Sequence, residues 1–222
     1  MAALGLMAVT AAGAQAKGDW RVNGVTTTGT IGVLGVVDPG SDFTLLSSFG
    51  ASNTPIAILC KTLTTDDGLL FVGGGSLATL LFTACETFLK SPPELSKPCK
   101  PAEPIVAKVK DLLILHNGKT YDLFSPDEGT TFATIKLGEE CAAGENVPVT
   151  GSLVAQCLWN NGGVTTIGCE HEEVSHLIEQ APAALFPSDT LSFGTHAASL
   201  DGAANLHLGA PNVNALWSGL GL

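Results

Sequence analysis

Residues Ser76–Leu89 read SLATLLFTACETFL, and the period assigned to this run decides the fold. Leu77, Leu80, Leu81 and Ala84 would share one face of a helix, whereas Leu80, Phe82 and Ala84 alternate as they would on a strand. The surroundings arbitrate. Gly73-Gly74-Gly75 precedes the run, and the segments on either side are strand-like, so an extended strand is expected.

Outward from this run the chain continues in the same style. Towards the N-terminus, Trp20–Val25 carries an Asn23-Gly24 turn signal, and Thr26–Val37, TTTGTIGVLGVV, is β-branched and punctuated by glycine. Asp38–Asp42 reads as a turn; Phe43–Ser48 and Ile56–Thr62 read as short strands; Asp66-Asp67-Gly68 reads as a hairpin leading into Leu69–Val72. Towards the C-terminus, Ile105–Lys110 and Leu112–His116 are apolar runs before Asn117-Gly118, with Lys119–Phe124 pairing back. Thr131–Leu137 alternates, and further strands are expected at Thr150–Cys157, Thr190–Phe193, Ala197–Leu200 and Asn205–Leu208. Only Glu170–Gln180, EHEEVSHLIEQ, has a helical pattern, with Val174, Leu177, Ile178 and Ala181 on one face. The expectation is an all-β, antiparallel sandwich or barrel-like fold, stapled by disulfides, with at most one or two short helices.

Composition supports that class. Only 14% of residues are charged, below the roughly 25% usual for soluble domains, and 26 are glycine. The net charge is −11 with a single arginine, Arg21, so nucleic acid and anionic membrane surfaces are poor partners, and no nucleic-acid partner is expected. Met1–Ala16, MAALGLMAVTAAGAQA, is uncharged and closes on Ala14-Gln15-Ala16, which reads as the apolar region and cleavage site of an export signal. It lacks a basic leading region, so a start upstream of Met1 is expected. No transmembrane segment is expected in the mature chain, and residues 17–222 are expected to form one β-rich domain, secreted to the periplasm, cell surface or medium.

In an exported chain, Cys60, Cys85, Cys99, Cys141, Cys157 and Cys169 read as disulfides. Spacing alone leaves the connectivity open. Local features suggest Cys157 with Cys169 across the Asn160–Gly163 turn signal, and Cys85 with Cys99 around the proline loop. Cys60 with Cys141 then follows by elimination. There is no CxxC and no zinc-finger spacing, so neither metal nor cofactor is expected.

Candidate chemistry is sparse. His171 and His176, near Cys169, Glu172 and Glu173, have a spacing of five where a zinc helix needs four, and read as a solvated face. Gly74-Gly75-Ser76-Leu77-Ala78 approaches the G-x-S-x-G elbow around a nucleophilic serine but lacks the strand–helix alternation that motif needs. Asp38/Asp42, Asp66/Asp67 and Asp127/Glu128 are acidic turns without an EF-hand spacing, and Glu139-Glu140 reads as a solvated loop. His116, His196 and His207 have no visible partner, and Trp20, Trp159 and Trp217 read as core-edge residues.

Several pieces together resemble a loose group of small exported bacterial β-rich proteins. They are Trp20-Arg21-Val22-Asn23-Gly24, Leu59-Cys60, Phe82 before Cys85, Thr131–Cys141, Pro148–Gly151, and LSFGTHAASLDGAANLHL before Trp217. The resemblance implies an all-β, disulfide-bonded fold and carries no activity, so no catalytic residue is transferred. Cys157 and Cys169 are additional to that pattern, a further reason to pair them together. The expected function is that of an exported non-enzymatic cell-envelope or extracellular protein, acting through surface interaction with a protein or surface partner, or through self-assembly. A secreted hydrolase is the second reading. An outer-membrane β-barrel is the third, disfavoured by six cysteines and a single tyrosine.

Overall fold

The structure is a computed structural model that describes residues 18–38, 41–161 and 164–221; the expected leader, Met1–Ala16, lies outside the described residues. In chain order the first strands are β1 (Asp19–Val22), β2 (Val25–Thr26), β3 (Ile31–Val37), β4 (Phe43–Phe49), β5 (Thr54–Phe71), β6 (Gly75–Leu89) and β7 (Glu94–Leu95). A middle group follows: β8 (Ile105–His116), β9 (Lys119–Pro126), β10 (Thr131–Lys136), β11 (Asn146–Thr150), β12 (Leu153–Asn161) and β13 (Val164–Ile167). The last are β14 (Ser175–Gln180), β15 (Ser192–Phe193), β16 (His196–Ala197), β17 (Ser199–Asp201), β18 (Ala203–Leu208) and β19 (Trp217–Leu220). The fold is all-β and barrel-like, with three disulfides and, among the described residues, two single-turn 3₁₀ segments at Lys97–Cys99 and Ala183–Leu185.

Strand pairing closes on itself. The ladder runs β5–β6–β8–β9–β12–β14–β18–β3 and returns to β5, every pairing antiparallel. Eight strands in a ring enclose a lumen wide enough to be filled by side chains or to hold one small ligand. Closure depends on the length of β5. Its first half pairs with β4, its second half with β3, and its other edge with β6 along nearly the whole strand.

Short turns set the registers. Asn117 and Gly118 have φ of 51° and 76°, and His116 pairs directly with Lys119; Asn23-Gly24 does the same between Val22 and Val25. Positive φ at both central residues is the requirement of a type I′ hairpin, which Asn-Gly meets at low cost. The Asp66-Asp67-Gly68 signal has another outcome. These residues form a bulge inside β5, where the β5–β6 register shifts between Asp66 and Leu69, and no hairpin forms. A Cβ on Gly68 would clash with the Val33 carbonyl oxygen, so glycine permits the close approach of β3.

The Ser76–Leu89 run is indeed a strand. The helix expected over Glu170–Gln180 is not formed: Glu170–Val174 are turns, bends and a single bridge, and Ser175–Gln180 is β14. Alternation decides it, because His176 and Ile178 are buried within the barrel while Leu177 lies on the alternate face. The runs Ile105–Lys110 and Leu112–His116 are likewise one strand, β8.

Two of the expected cysteine pairings are corrected. Cys60 bonds Cys85, and Cys99 bonds Cys141; Cys157 bonds Cys169 as expected. Cys60 and Cys85 are directly opposed in the β5–β6 register, with Cα atoms 4.0 Å apart, so neither is free for a distant partner. The proline loop is pinned at Cys99 to the turn after β10 and is not closed upon Cys85. Three disulfides suit an oxidising environment. Among the described residues, no helix is long and apolar enough to cross a membrane.

The two barrel ends are closed differently. At one, β1 and β19 pair and place Trp20 and Trp217 against Val33, Leu70, Leu113 and Leu208. At the other, the small sheet β10–β11–β15–β16 packs Phe132, Ile135, Val149 and Phe193 against Ile58, Ile105, Ala107 and Val109.

Candidate functional site

Between these two closures lies a cavity of about 190 Å³. Inward positions on four of the ring strands carry alanine (Ala78, Ala107, Ala155 and Ala204), which leaves space that leucine or phenylalanine would fill. The wall is otherwise mostly apolar, with Leu63, Leu80, Phe82, Phe124 and Ile178 among its residues. Ala78, Leu80 and Phe82 face inward yet are only half-buried, which is what side chains bordering open space show.

One polar cluster interrupts this wall. Ser76 on β6 is registered opposite Asp111 on β8, and its hydroxyl donates to Asp111 Oδ2. Asp122 on β9 lies diagonal to Asp111, within hydrogen-bonding reach. Burial pushes the Asp111 carboxyl up to about 6, against the hydrogen bonds from Ser76 and Asp122 that favour its ionised form. Burial raises Asp122 well above the ordinary carboxylate range, and the charge and hydrogen bond of Asp111 raise it further. The coupled pair therefore keeps a shared proton well above the ordinary carboxylate range, and with Asp111 at about 6 it carries negative charge at neutral pH.

Among the other polar groups bordering the cavity, the Thr65 hydroxyl is buried without a partner, while His176, Glu179, Gln180 and Trp20 are matched by protein groups. His176 Nε2 donates to the Trp217 carbonyl at 2.8 Å, and burial lowers its pKa, keeping the ring neutral. Glu179 accepts from Gln156 at 2.8 Å; Gln180 donates to Asp189 at 2.8 Å and accepts from the Leu200 amide at 2.6 Å. Trp20 Nε1 donates to the Gly75 carbonyl at 3.0 Å, which sets the indole beside Ser76. Trp20 and Trp217 lie 5.7 Å apart at 46°, so two aromatic rings and the carboxyl pair share one end of the lumen.

The structure distributes the other candidates widely. Ser76 is in the lumen, bonded to a carboxyl and not to a histidine. His171 stacks on Trp159 at 4.3 Å outside the lumen, so it and His176 do not converge. His116 packs against Phe186 and Tyr121, His196 meets Ser48, and His207 sits half-buried opposite Leu34. Asp38 accepts from Asn205, while Asp66 and Asp67 are exposed at the β5 bulge. Glu139 and Glu140 lie in the turn before Cys141. Among the described residues, no group of three His, Cys, Asp or Glu side chains could hold a metal ion. Trp20 and Trp217 are buried cavity walls, not core edge.

Sequence reading missed Asp111 and Asp122. The available signal was alternation: Ile105, Ala107, Val109, Asp111 and Leu113 fall on one face of β8, which puts a carboxylate in an otherwise apolar series. Fold and site together define a disulfide-stapled, closed antiparallel barrel with an apolar lumen and a buried carboxyl pair. In comparison with known proteins, the chain matches no family model, no curated protein and no solved structure.

Proposed function

We propose that this is an exported, non-enzymatic protein that works by interaction, and that its interacting surface is the lumen, which takes one small, largely apolar molecule. The cavity carries the reading. Left empty, about 190 Å³ would cost roughly 4–5 kcal/mol at ~24 cal/mol per Å³, a large part of the stability of an ordinary domain. Apolar cavities of this size stay dry and accept small hydrocarbons. The leader-like segment and the three disulfides support an exported protein.

The hydrolase reading has less support, because Ser76 is engaged by Asp111 and His176 by the Trp217 carbonyl. The outer-membrane reading is opposed by polarity: the lumen is apolar, and Lys61, Asp66, Lys108 and Lys110 are exposed on the barrel strands.

Thermal unfolding in the presence of hexan-1-ol tests the proposal. The Tm of the wild-type chain should rise with alcohol concentration, and those of Ala107→Phe and Ala155→Phe, with the lumen filled, should not. No rise in the wild type, or equal rises in all three, would overturn it.

A further inference from the structure

We infer that the Ser76–Asp111–Asp122 cluster and the Trp20–Trp217 pair form a head-group site, and that the lumen's ligand is a small primary amine with an apolar body. This inference rests on the lumen being a binding site and adds the chemistry of what binds there.

Geometry carries it. The cluster sits at the tryptophan end: Ser76 and Asp111 are paired across β6 and β8, and Trp20 is tied to Gly75, the residue before Ser76. The cavity runs from there along the alanine positions towards Phe132 and Ile135, so a head at one end leaves a body in an apolar channel.

Hydrogen-bond supply points the same way. Two carboxyls offer four acceptor oxygens. Against them stand the hydroxyl and backbone amide of Ser76, both on Asp111, and the one proton the carboxyls share; beyond these, Asp111 Oδ1 and Asp122 Oδ1 find no protein donor. Among the described residues, no lysine or arginine borders the cavity, and the titratable groups facing it besides the pair are His176, held neutral, and Glu179, an acid. The lumen thus holds negative charge that no cation among the described residues matches, which is costly in an apolar setting unless a cation arrives. An ammonium brings positive charge and three donors. Trp20 and Trp217 border the same cavity, and indole is the best aromatic partner for a cation. A hydroxyl would satisfy fewer acceptors, and a carboxylate would be repelled.

The test is calorimetric titration of the full wild-type chain at pH 7 with hexylamine, hexan-1-ol and hexanoate, whose bodies are alike. Hexylamine should bind about ten-fold or more tighter than hexan-1-ol, the gain expected of charged hydrogen bonds, with hexanoate weakest. In Asp111→Asn, hexylamine should lose that advantage while hexan-1-ol binding is retained. Equal or tighter binding of hexan-1-ol by the wild type would overturn the amine inference and leave the lumen-binding reading standing. Failure of all three probes would overturn both. The wild-type ranking decides the matter even if Asp111→Asn does not fold.

Discussion

Asp111 and Asp122 stand diagonally on neighbouring strands with both carboxyls turned into the barrel, Phe124 registered opposite the first and Leu113 opposite the second. Two acids at such positions cannot both ionise cheaply, so their proton holds part of the barrel's stability hostage to pH. In the unfolded chain each would titrate near ~3.9. Folded, burial pushes Asp111 up to about 6 and raises Asp122 well above its ordinary value. Between those values the folded chain keeps protons that the unfolded chain has released. The pair's contribution is therefore fully present below about pH 4 and is lost as pH rises through 6 and beyond. His176, with its lowered pKa, works in the opposite sense and removes stability as pH falls from about 6.5. Asp122→Asn keeps a neutral group at the site and isolates the pair. Relative to wild type, the variant should gain stability as pH rises from about 4.5 to about 7.5, measured by urea unfolding. A pH-independent difference would remove the shared proton from the account.

The three disulfides should differ in weight according to the loops they close. In the chain-entropy treatment, replacing both cysteines of the Cys99–Cys141 bridge, with a sequence separation of 42, should cost about 4 kcal/mol. The Cys157–Cys169 bridge, with a separation of 12, should cost about 3 kcal/mol. Double Cys→Ala variants compared by urea unfolding check the order. A larger loss at Cys157–Cys169 would show that native packing around that hairpin, and not chain entropy, dominates.

Small-to-large substitutions should separate the lumen from the packed closure. Ala107→Val places two more carbons in open space and should stabilise by roughly 1.5 kcal/mol at ~0.8 kcal/mol per buried methylene. Gly219→Ala should destabilise by about 1–3 kcal/mol. Its Cβ would lie 2.7 Å from Leu113 Cδ2 and 2.9 Å from Trp20 Cζ3. The readout is the sign of each change in thermal unfolding; destabilisation by Ala107→Val would mean that the lumen has no room to give.

Glu103 supports β6 from outside. Its carboxylate accepts the amides of Ala84 at 2.8 Å and Cys85 at 2.7 Å, beside the positive φ of 53° at Ala84. The Cys85 and Ala84 bonds hold its pKa below the ordinary value. Glu103→Ala should therefore speed hydrogen exchange at those two amides, and acidification through the carboxylate range should lower their protection factors, taken against the unfolded chain at the same pH, in the wild type. Unchanged exchange in the variant would assign the local order to the neighbouring disulfide alone.

How far this was legible in the sequence depends on the range of the physics involved. Turn chemistry is local, and Asn23-Gly24 and Asn117-Gly118 place hairpins where the residues suggest. The period of Ser76–Leu89 was decided correctly by its flanks. Asp66-Asp67-Gly68 misled because a bulge and a hairpin use the same residues. Reading a turn there split β5, and hid the fact that Cys60 and Cys85 lie at nearly equal distances from the Gly73-Gly74 turn. The helix expected at Glu170–Gln180 failed for a related reason. Leu177 and Ile178 fit either period over so short a run, and pairing to β12 and β18 decided for strand. The Ser76–Asp111–Asp122 cluster was the least legible feature, since its members come from three strands and meet only when the ring closes.

The claim on which the rest depends is that the lumen is occupied by a ligand, and isotope-edited NMR with hexan-1-ol tests it most directly. The account predicts intermolecular NOEs from the alcohol's methylenes to the methyl groups of Ala78, Ala107, Ala155 and Ala204, which line the cavity. NOEs confined to the exposed side chains of Leu34, Val36 and Val106, or none at all, would contradict it.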